Sequence, residues 1–440
     1  MKKQISAVQK KLEDAVSQLC EVSWMFCKCP NTHFTRKRKL PFRKVVTFLL
    51  AMEGGTLGTQ MLRHFGYSVN IPSASAFVQQ RDKINAEAFP SLFDLFVKKS
   101  DTCKTYKGLR LIAADGSDFR TPSDSSNPES YFPGTSVQSA YNLLHLDAMY
   151  DLLQHTYTDV ILLGKRAANE RNSLCKMVDR SDLSDVLLLA DRGYEGFNLM
   201  AHIQEKGWKF LIRIQDVANS YGIAAGLDLP SAEEFDVFIS LSLTKKQTKE
   251  AKSLCKNRNL FKLIHSDFDF LPGNNEPDAP VFYKLPFRIV RFKITDDVYE
   301  TVVTNLDSEL FPPEELKKLY NMRWGIETSF RELKYTVGLL HFHAKKVEYI
   351  YQEVFARLIM YNFSELVTSL VIIQKADTKF TYKANFTIAV HVCRQLFLGN
   401  VSPPDVEALI RKHVSPIRPG RSRPRNMTVK HAVSFIYRVA

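Results

Sequence analysis

The 440-residue chain is 45% hydrophobic and carries a net charge of +13, which suits a folded protein of two to four domains with an anionic partner. No stretch reaches the roughly 18 uninterrupted apolar residues of a membrane span; the nearest, Val354 to Ile373, is broken by Arg357, Asn362, Ser364 and Glu365 and reads as a buried helix. The N-terminus lacks the apolar core of a signal peptide and the seven cysteines are scattered, so reduced thiols, a cytoplasmic location and no membrane contact are expected.

Residues 1–100 read as helical. Cys20, Cys27, Cys29 and His33 lie close enough to raise zinc, but their spacing fits no standard zinc module, and buried small hydrophobes are the plainer reading. The basic run Arg36 to Lys39 precedes three short segments, 41–53, 57–65 and 74–86, of lengths that suit a helix-turn-helix module. Ser73 or Ser75 is a candidate cap for the third, which would expose Gln79, Gln80, Arg81 and Lys83 to base edges. An ordinary helical bundle is the bland alternative.

Two nearly continuous apolar runs follow, Leu109 to Ala114 and Val186 to Ala190. Such runs are buried strands, and each ends in an aspartate, Asp115 then Asp191, where open α/β sheets place their chemistry. Gly116 and Gly193 close behind would let a DNA backbone approach. Between the runs, 140–149 and 153–163 form a hairpin pattern and 166–179 a helical one. Strand-Asp, strand, strand, helix, strand-Asp is the order of a ribonuclease-H-like core. One apolar run closed by an aspartate is more often structural, but two, followed by a glutamate in a basic row, are not explained that way.

A helix at 195–206 and a strand at 209–214 complete this part. The stretch 216–305 turns β-rich, with strands at 235–243, 260–271, 281–294 and 298–306 and a Pro/Gly/Asn loop at 272–280, and is expected to be an inserted domain. Asp267-Phe-Asp269 has the spacing of a metal motif but reads better as alternating polar residues on a half-exposed strand. Asp296-Asp297 marks a hairpin turn.

Pro312-Pro313 and the acidic Glu314 and Glu315 start a helix. Along it Tyr320, Arg323, Glu327 and Lys334 share an arc about 60° wide, a polar stripe about 21 Å long beside the apolar face of Leu319, Met322, Ile326, Phe330, Leu333 and Val337. One carboxylate among a phenol, a guanidinium and an ammonium suits a phosphate backbone better than a small metabolite. A solvated face with Glu327 paired to Arg331 is the simpler alternative. Helices at 346–374 and 385–398 follow, then Arg411-Lys412-His413 and a basic tail, Arg418 to Arg425, read as a phosphate-contacting or merely solubilising segment.

Asp115, Asp191 and Glu327 are the hard-oxygen donors that a two-metal phosphoryl-transfer site requires. Tyr320, Arg323, Glu327 and Lys334 also match, without a gap, the signature Y-(2)-R-(3)-E-(6)-K, and over about 105–340 the chain resembles the DDE transposases of bacterial insertion sequences, in the group named after insertion sequence four. The resemblance implies that Asp115, Asp191 and Glu327 bind two Mg²⁺ ions, which Mn²⁺ can replace. It assigns Tyr320, Arg323 and Lys334 to phosphates near the transposon end. Trp324, beside the signature, would stack on a displaced base unless it is a core tryptophan. Implied partners are double-stranded DNA, as transposon ends and target, and a second copy of the chain in the DNA complex, in association with the nucleoid.

The expected fold is α/β: a ribonuclease-H-like catalytic core interrupted by a β-rich insertion, with helical ends. Its parts are a DNA-binding region at 1–100, first core segment at 105–215, insertion at 216–305, glutamate helix at 306–342 and helical C-terminal region at 343–440. The expected activity is Mg-dependent cleavage of transposon-end DNA and joining of the 3′-OH to target DNA. A metal nuclease of the same core without strand transfer, and an inactive DNA-binding derivative, are the alternatives.

Overall fold

The computed structural model describes residues 2–136, 138–217, 221–264, 267–271, 281–296, 298–373, 381–417 and 434–438. The loop at 272–280, Asp297 and the tail from Arg418 to Arg425 lie outside them. Five helices come first, α1 (Lys2–Glu21), α2 (Phe42–Ala51), α3 (Leu57–His64), α4 (Ala74–Arg81) and α5 (Ala88–Ser100). The sheet opens with β1 (Arg110–Thr121), β2 (Tyr131–Phe132), β3 (Tyr141–Asp151) and β4 (Thr156–Gly164), followed by α6 (Glu170–Arg180), β5 (Val186–Ala190), α7 (Phe197–Glu205) and β6 (Lys209–Ile214). Then come β7 (Phe235–Thr244), α8 (Lys249–Leu254), β8 (Phe261–Leu263), β9 (Tyr283–Thr295) and β10 (Val298–Thr304). The chain continues through α9 (Pro313–Met322), α10 (Trp324–Tyr335), α11 (Val347–Ser369), α12 (Phe386–Phe397) and α13 (Pro403–Lys412).

Among the described residues, ten strands make one sheet in the order β2-β3-β1-β5-β6-β10-β9-β7-β8, with β4 also on β3. β1 runs antiparallel to β3 and parallel to β5, and β5 parallel to β6. The stretch 216–305 is β-rich as expected, yet its strands build no sheet of their own. β10 pairs antiparallel with β6, and β9 and β7 follow, so they extend the central sheet. The unpaired edge of β6 would otherwise expose its backbone groups, and β10 satisfies them. The expected strand at 260–271 shrinks to β8. Asp267 and Asp269 lie beyond it in irregular backbone, where Asp269 accepts hydrogen bonds from His202 Nε2 (2.9 Å) and Asn198 Nδ2 (2.8 Å).

Alternation along β1 sorts its two faces. Leu111, Ala113 and Phe119 join a core shared with the helical layers, whereas Ile112 and Ala114 join a second core with α6 and α7. The first core runs from Ile5 to Ile410, with α11 at its centre. That helix is buried on nearly all sides, as the interrupted apolar run implied. Among the described residues, no helix is long and apolar enough to cross a membrane.

The three short segments of the N-terminal region are helices α2, α3 and α4, and Ser73 caps the third by accepting the Ala76 N–H (3.1 Å). The exposure expected of that helix is corrected. Gln79 is exposed, but Gln80 and Arg81 are buried, and Lys83 is half-buried against Gln80 Oε1 (3.3 Å). Arg81 donates to Glu353 Oε1 (2.7 Å) and Gln352 Oε1 (2.8 Å) of α11. A buried guanidinium needs such partners, and they lie too far along the chain for local reading to find. Cys29 is exposed while Cys27 is buried, and all seven cysteines are free thiols.

Candidate active site

The ladder between β1 and β5 ends at Ala114 opposite Ala190. Because the two strands are parallel, Asp115 and Asp191 are the next residues of both, on neighbouring strands about 4.8 Å apart. Their chain paths then differ. β1 continues to Thr121 with Asp115 opposite Ala148 of β3, so the strand does not stop at the aspartate as its apolar run suggested. After β5 the chain turns at once, and Asp191 Oδ1 accepts the Gly193 N–H (2.7 Å).

The third carboxylate comes from α10, which packs across β1. Gly325 permits the close approach, since a Cβ there would stand 2.8 Å from Leu152 Cδ2. The apolar face holds as expected, with Leu319, Ile326, Phe330, Leu333 and Val337 buried and Met322 half-buried. The single helix expected through Tyr320 and Lys334 is instead α9 and α10, broken at Arg323. There the N–H groups of Arg323 and Ile326 reach back three residues, to Tyr320 O and Arg323 O (both 3.1 Å). A three-residue turn eclipses positions i and i+3, and the Arg323 guanidinium lies 5.5 Å from the Tyr320 ring centre.

Glu327 pairs back to Arg323 Nη2 (2.9 Å) rather than forward to Arg331. Tyr320 and Arg323 are buried, and the Tyr320 hydroxyl and Arg323 Nε and Nη1 have no hydrogen-bond partner. Three orphaned donors beside three carboxylates are costly unless a ligand completes them. Lys334 is buried too, donating to Ser117 Oγ (2.8 Å) and Asp118 O (2.9 Å), so its ammonium is anchored on β1 beyond Asp115. Trp324 is 43% exposed with Arg323 5.3 Å from its ring centre, which excludes the core-tryptophan reading.

Burial and then the charge of Asp191 push the Asp115 carboxyl up to about 7, with Glu327 adding to the rise and Arg323 opposing it. The three carboxylates therefore feel one another. Among the described residues, however, no three His, Cys, Asp or Glu side chains gather closely enough to hold a metal ion, and this includes the cysteine cluster around Cys29. As a donor set the three acids suit a hard divalent cation, whose charge would relieve the repulsion that Asp115 records.

The expectation that Gly116 opens space for DNA is corrected. A Cβ there would lie 2.8 Å from His145 Nε2 and 3.1 Å from Glu170 Oε1. His145 and Asp147 of β3, with Glu170 at the start of α6, went unnoticed in the sequence. Two polar residues at alternate positions within the otherwise apolar run from Leu143 to Tyr150 are the available signal.

Residues 106–363 match the family described as Transposase DDE domain. The transposase InsG for insertion sequence element IS4 of Escherichia coli (strain K12) is 24% identical over 340 residues, covering 74% of this chain and 70% of the relative. A cryo-EM structure of the piggyBac transposase synaptic complex with hairpin DNA aligns with a TM-score of 0.41 and 10% identity, over 97% of this chain and 86% of that one. The family match takes in β1, β5, α10 and most of α11, and with it the chain belongs to the DDE transposases, of the insertion-sequence-four type.

Proposed function

We propose that this transposase binds the ends of its element as double-stranded DNA, cuts them by Mg²⁺-dependent phosphodiester hydrolysis and joins the freed 3′-OH to target DNA. The observation that carries this reading is the placement of Asp115 and Asp191 at the first unladdered position of two parallel strands, with Glu327 facing them. Asp115, Asp191 and Glu327 would hold two Mg²⁺ ions, or Mn²⁺ in their place, which when bound activate the attacking oxygen and stabilise the leaving one.

The other residues bind and orient the strand. Tyr320 and Arg323 offer their orphaned donors to phosphate oxygens, and a guanidinium suits two of them at once. Lys334, fixed on β1, adds its charge to the same row. Trp324 offers an exposed face for stacking a base. The strand order β4-β3-β1-β5-β6, with β3 antiparallel and β5 and β6 parallel, supports a ribonuclease-H-like core over 105–215 and 306–342. We assign 216–305 as the insertion on its edge, 1–100 as the helical DNA-binding region and 343–440 as the helical C-terminal region, with two copies joining paired ends.

The test is incubation of the full chain with element-end duplexes, a target duplex and Mg²⁺. Joined products are expected. Cleavage without joining would favour the nuclease, and binding alone the inactive derivative. Asp115→Ala, Asp191→Ala and Glu327→Ala should each lose cleavage and joining while keeping end binding. A variant with near-normal cleavage removes that residue from the set.

A further inference from the structure

The paired register of β1 and β5 ends at Ala114 and Ala190, so past that pair side chains add to what sets the spacing of the Asp115 and Asp191 backbones. Those side chains lie behind the sheet, on the face of β1 opposite Asp115. We propose that His145 is a positioning residue of the acidic centre, clamping Glu170 against Gly116 so that Glu170 spans the Asp115 strand and the Asp191 turn. This rests on the reading of Asp115 and Asp191 as cation ligands.

His145 stands on β3 opposite Asp118, its side chain 2% exposed. Its Nδ1 bonds Asp118, its Nε2 bonds Asp147 Oδ1 at 2.9 Å, and the same Nε2 is 3.4 Å from Glu170 Oε1. Burial and the Lys165 ammonium, 3.2 Å from Nδ1, oppose a charge on this ring, but the bonds to Asp118 and Asp147 outweigh them and push it up to about 9, which favours a cation facing Glu170. The ring lies directly on the strand, its Nε2 and Cε1 only 2.8 and 2.9 Å from where a Gly116 Cβ would be.

Glu170 carries the contact across. Its Oε1 sits 3.1 Å from that Gly116 position, and its Oε2 sits 3.5 Å from the Cβ position of Gly193, which is itself 3.0 Å from Asp191 Oδ1. One carboxylate therefore lies against both residues, Gly116 within β1 and Gly193 in the turn after Asp191. The next residue, Arg171, donates its Nε to Gly193 O (2.9 Å), and Asn169 caps α6 by accepting the Asn172 N–H (3.2 Å), which fixes the helix start. Asp147, fully buried, uses one oxygen on His145 and leaves Oδ2 without a partner.

Calorimetric titration of the full-length protein with Mn²⁺ alone, repeated on variants, tests the proposal, together with the Mg²⁺ dependence of end cleavage. His145→Gln keeps an N–H donor but not the charge. It should weaken Mn²⁺ binding about tenfold or more and raise the Mg²⁺ needed for half-maximal cleavage by a similar factor, with the rate largely recovered at saturating Mg²⁺ and end-DNA affinity unchanged. A merely structural histidine would lower thermal stability without that split between metal requirement and maximal rate. Glu170→Gln, on a side chain 40% exposed, decides the matter should His145→Gln not fold, and should weaken Mn²⁺ binding at least threefold. Wild-type Mn²⁺ affinity in the folded variants overturns the positioning role. Asp191→Ala separates the two readings, because wild-type Mn²⁺ affinity there would instead overturn the acidic centre itself.

Discussion

Asp115 and Asp118 lie three residues apart on one strand and meet opposite fates. On the front of β1, Asp115 faces two more carboxylates and its carboxyl is pushed up to about 7, first by burial and then by Asp191. On the back, burial of Asp118 is outweighed by His145 and Lys165, which hold its carboxyl below the usual range; the Lys165 ammonium is 2.9 Å away. A carboxylate whose charge is balanced by the protein serves the fold. One set mainly among other carboxylates is a candidate cation ligand, and the two faces of a single strand hold the two environments.

The largest expected effect breaks that contrast at the level of activity. Asp115→Asn should reduce Mg²⁺-dependent cleavage by more than about a thousandfold, because it removes a proposed cation ligand while keeping its shape. Asp118→Asn should cost no more than about tenfold, through the loosened His145. Equal losses in the two variants would mean that the strand, and not the front face, is what catalysis needs.

Stability in the absence of divalent cations should move the other way. A carboxyl raised from 3.8 to about 7 binds more protons folded than unfolded, so its share of stability falls as pH rises from about 4 to 7 and stays lost above. Asp115→Asn should therefore stabilise the cation-free protein at pH 7.5, by about 1–2 kcal/mol after allowance for screening of a half-buried group. His145 contributes a second, separable slope. Its folded value, about 9 against an ordinary 6.5, gives stability fully present below pH 6.5 and lost as pH rises through 9, at most about 3 kcal/mol. Chemical denaturation across pH 5–10 should show that loss in the parent protein and a flatter profile in His145→Gln.

What the sequence made legible follows from the range of the forces involved. The strands at 110–114, 186–190 and 209–214 announce themselves because burial on both faces demands nearly continuous apolar runs, and the front acids stand out because they end two of them. The back of β1 was silent, since His145, Glu170 and Gly116 meet only after three elements have packed. The burial of Arg81 is hidden for the same reason. Its partner Glu353 lies on α11, and nothing near Arg81 says that its charge will be buried. The break at Arg323 leaves no trace in the periodicity, since residues 313–335 read as one helix, whereas one three-residue turn suffices to stack Arg323 on Tyr320.

The stripe on α9 and α10 sharpens the front face into separate roles, with smaller effects. Arg323→Ala removes the only cation seen bonded to Glu327 among the described residues, and should lower the salt dependence of end binding by about one unit of slope. Lys334→Ala acts through β1, where it frees Ser117 and Asp118 O, so thermal stability should fall along with end processing. Unchanged binding, cleavage and stability in both would return the stripe to an ordinary charged face.

Trp324 carries the smallest effect and the most specific one. Its ring is 43% exposed and Arg323 lies 5.3 Å from its centre, so truncation empties no core and its cost should be confined to DNA. Base–aromatic stacking contributes about 1–3 kcal/mol, and an exposed ring already contacted by a guanidinium should fall at the low end. Trp324→Ala is therefore expected to weaken end binding about fivefold and leave Mn²⁺ affinity and thermal stability unchanged, while Trp324→Phe, which keeps a flat face, should bind nearly as the parent does. If the alanine variant binds end DNA as tightly as the parent, the ring touches no base. If it loses stability instead, the ring belongs to the packing of α10, and the proposed row of DNA contacts is left to Tyr320, Arg323 and Lys334.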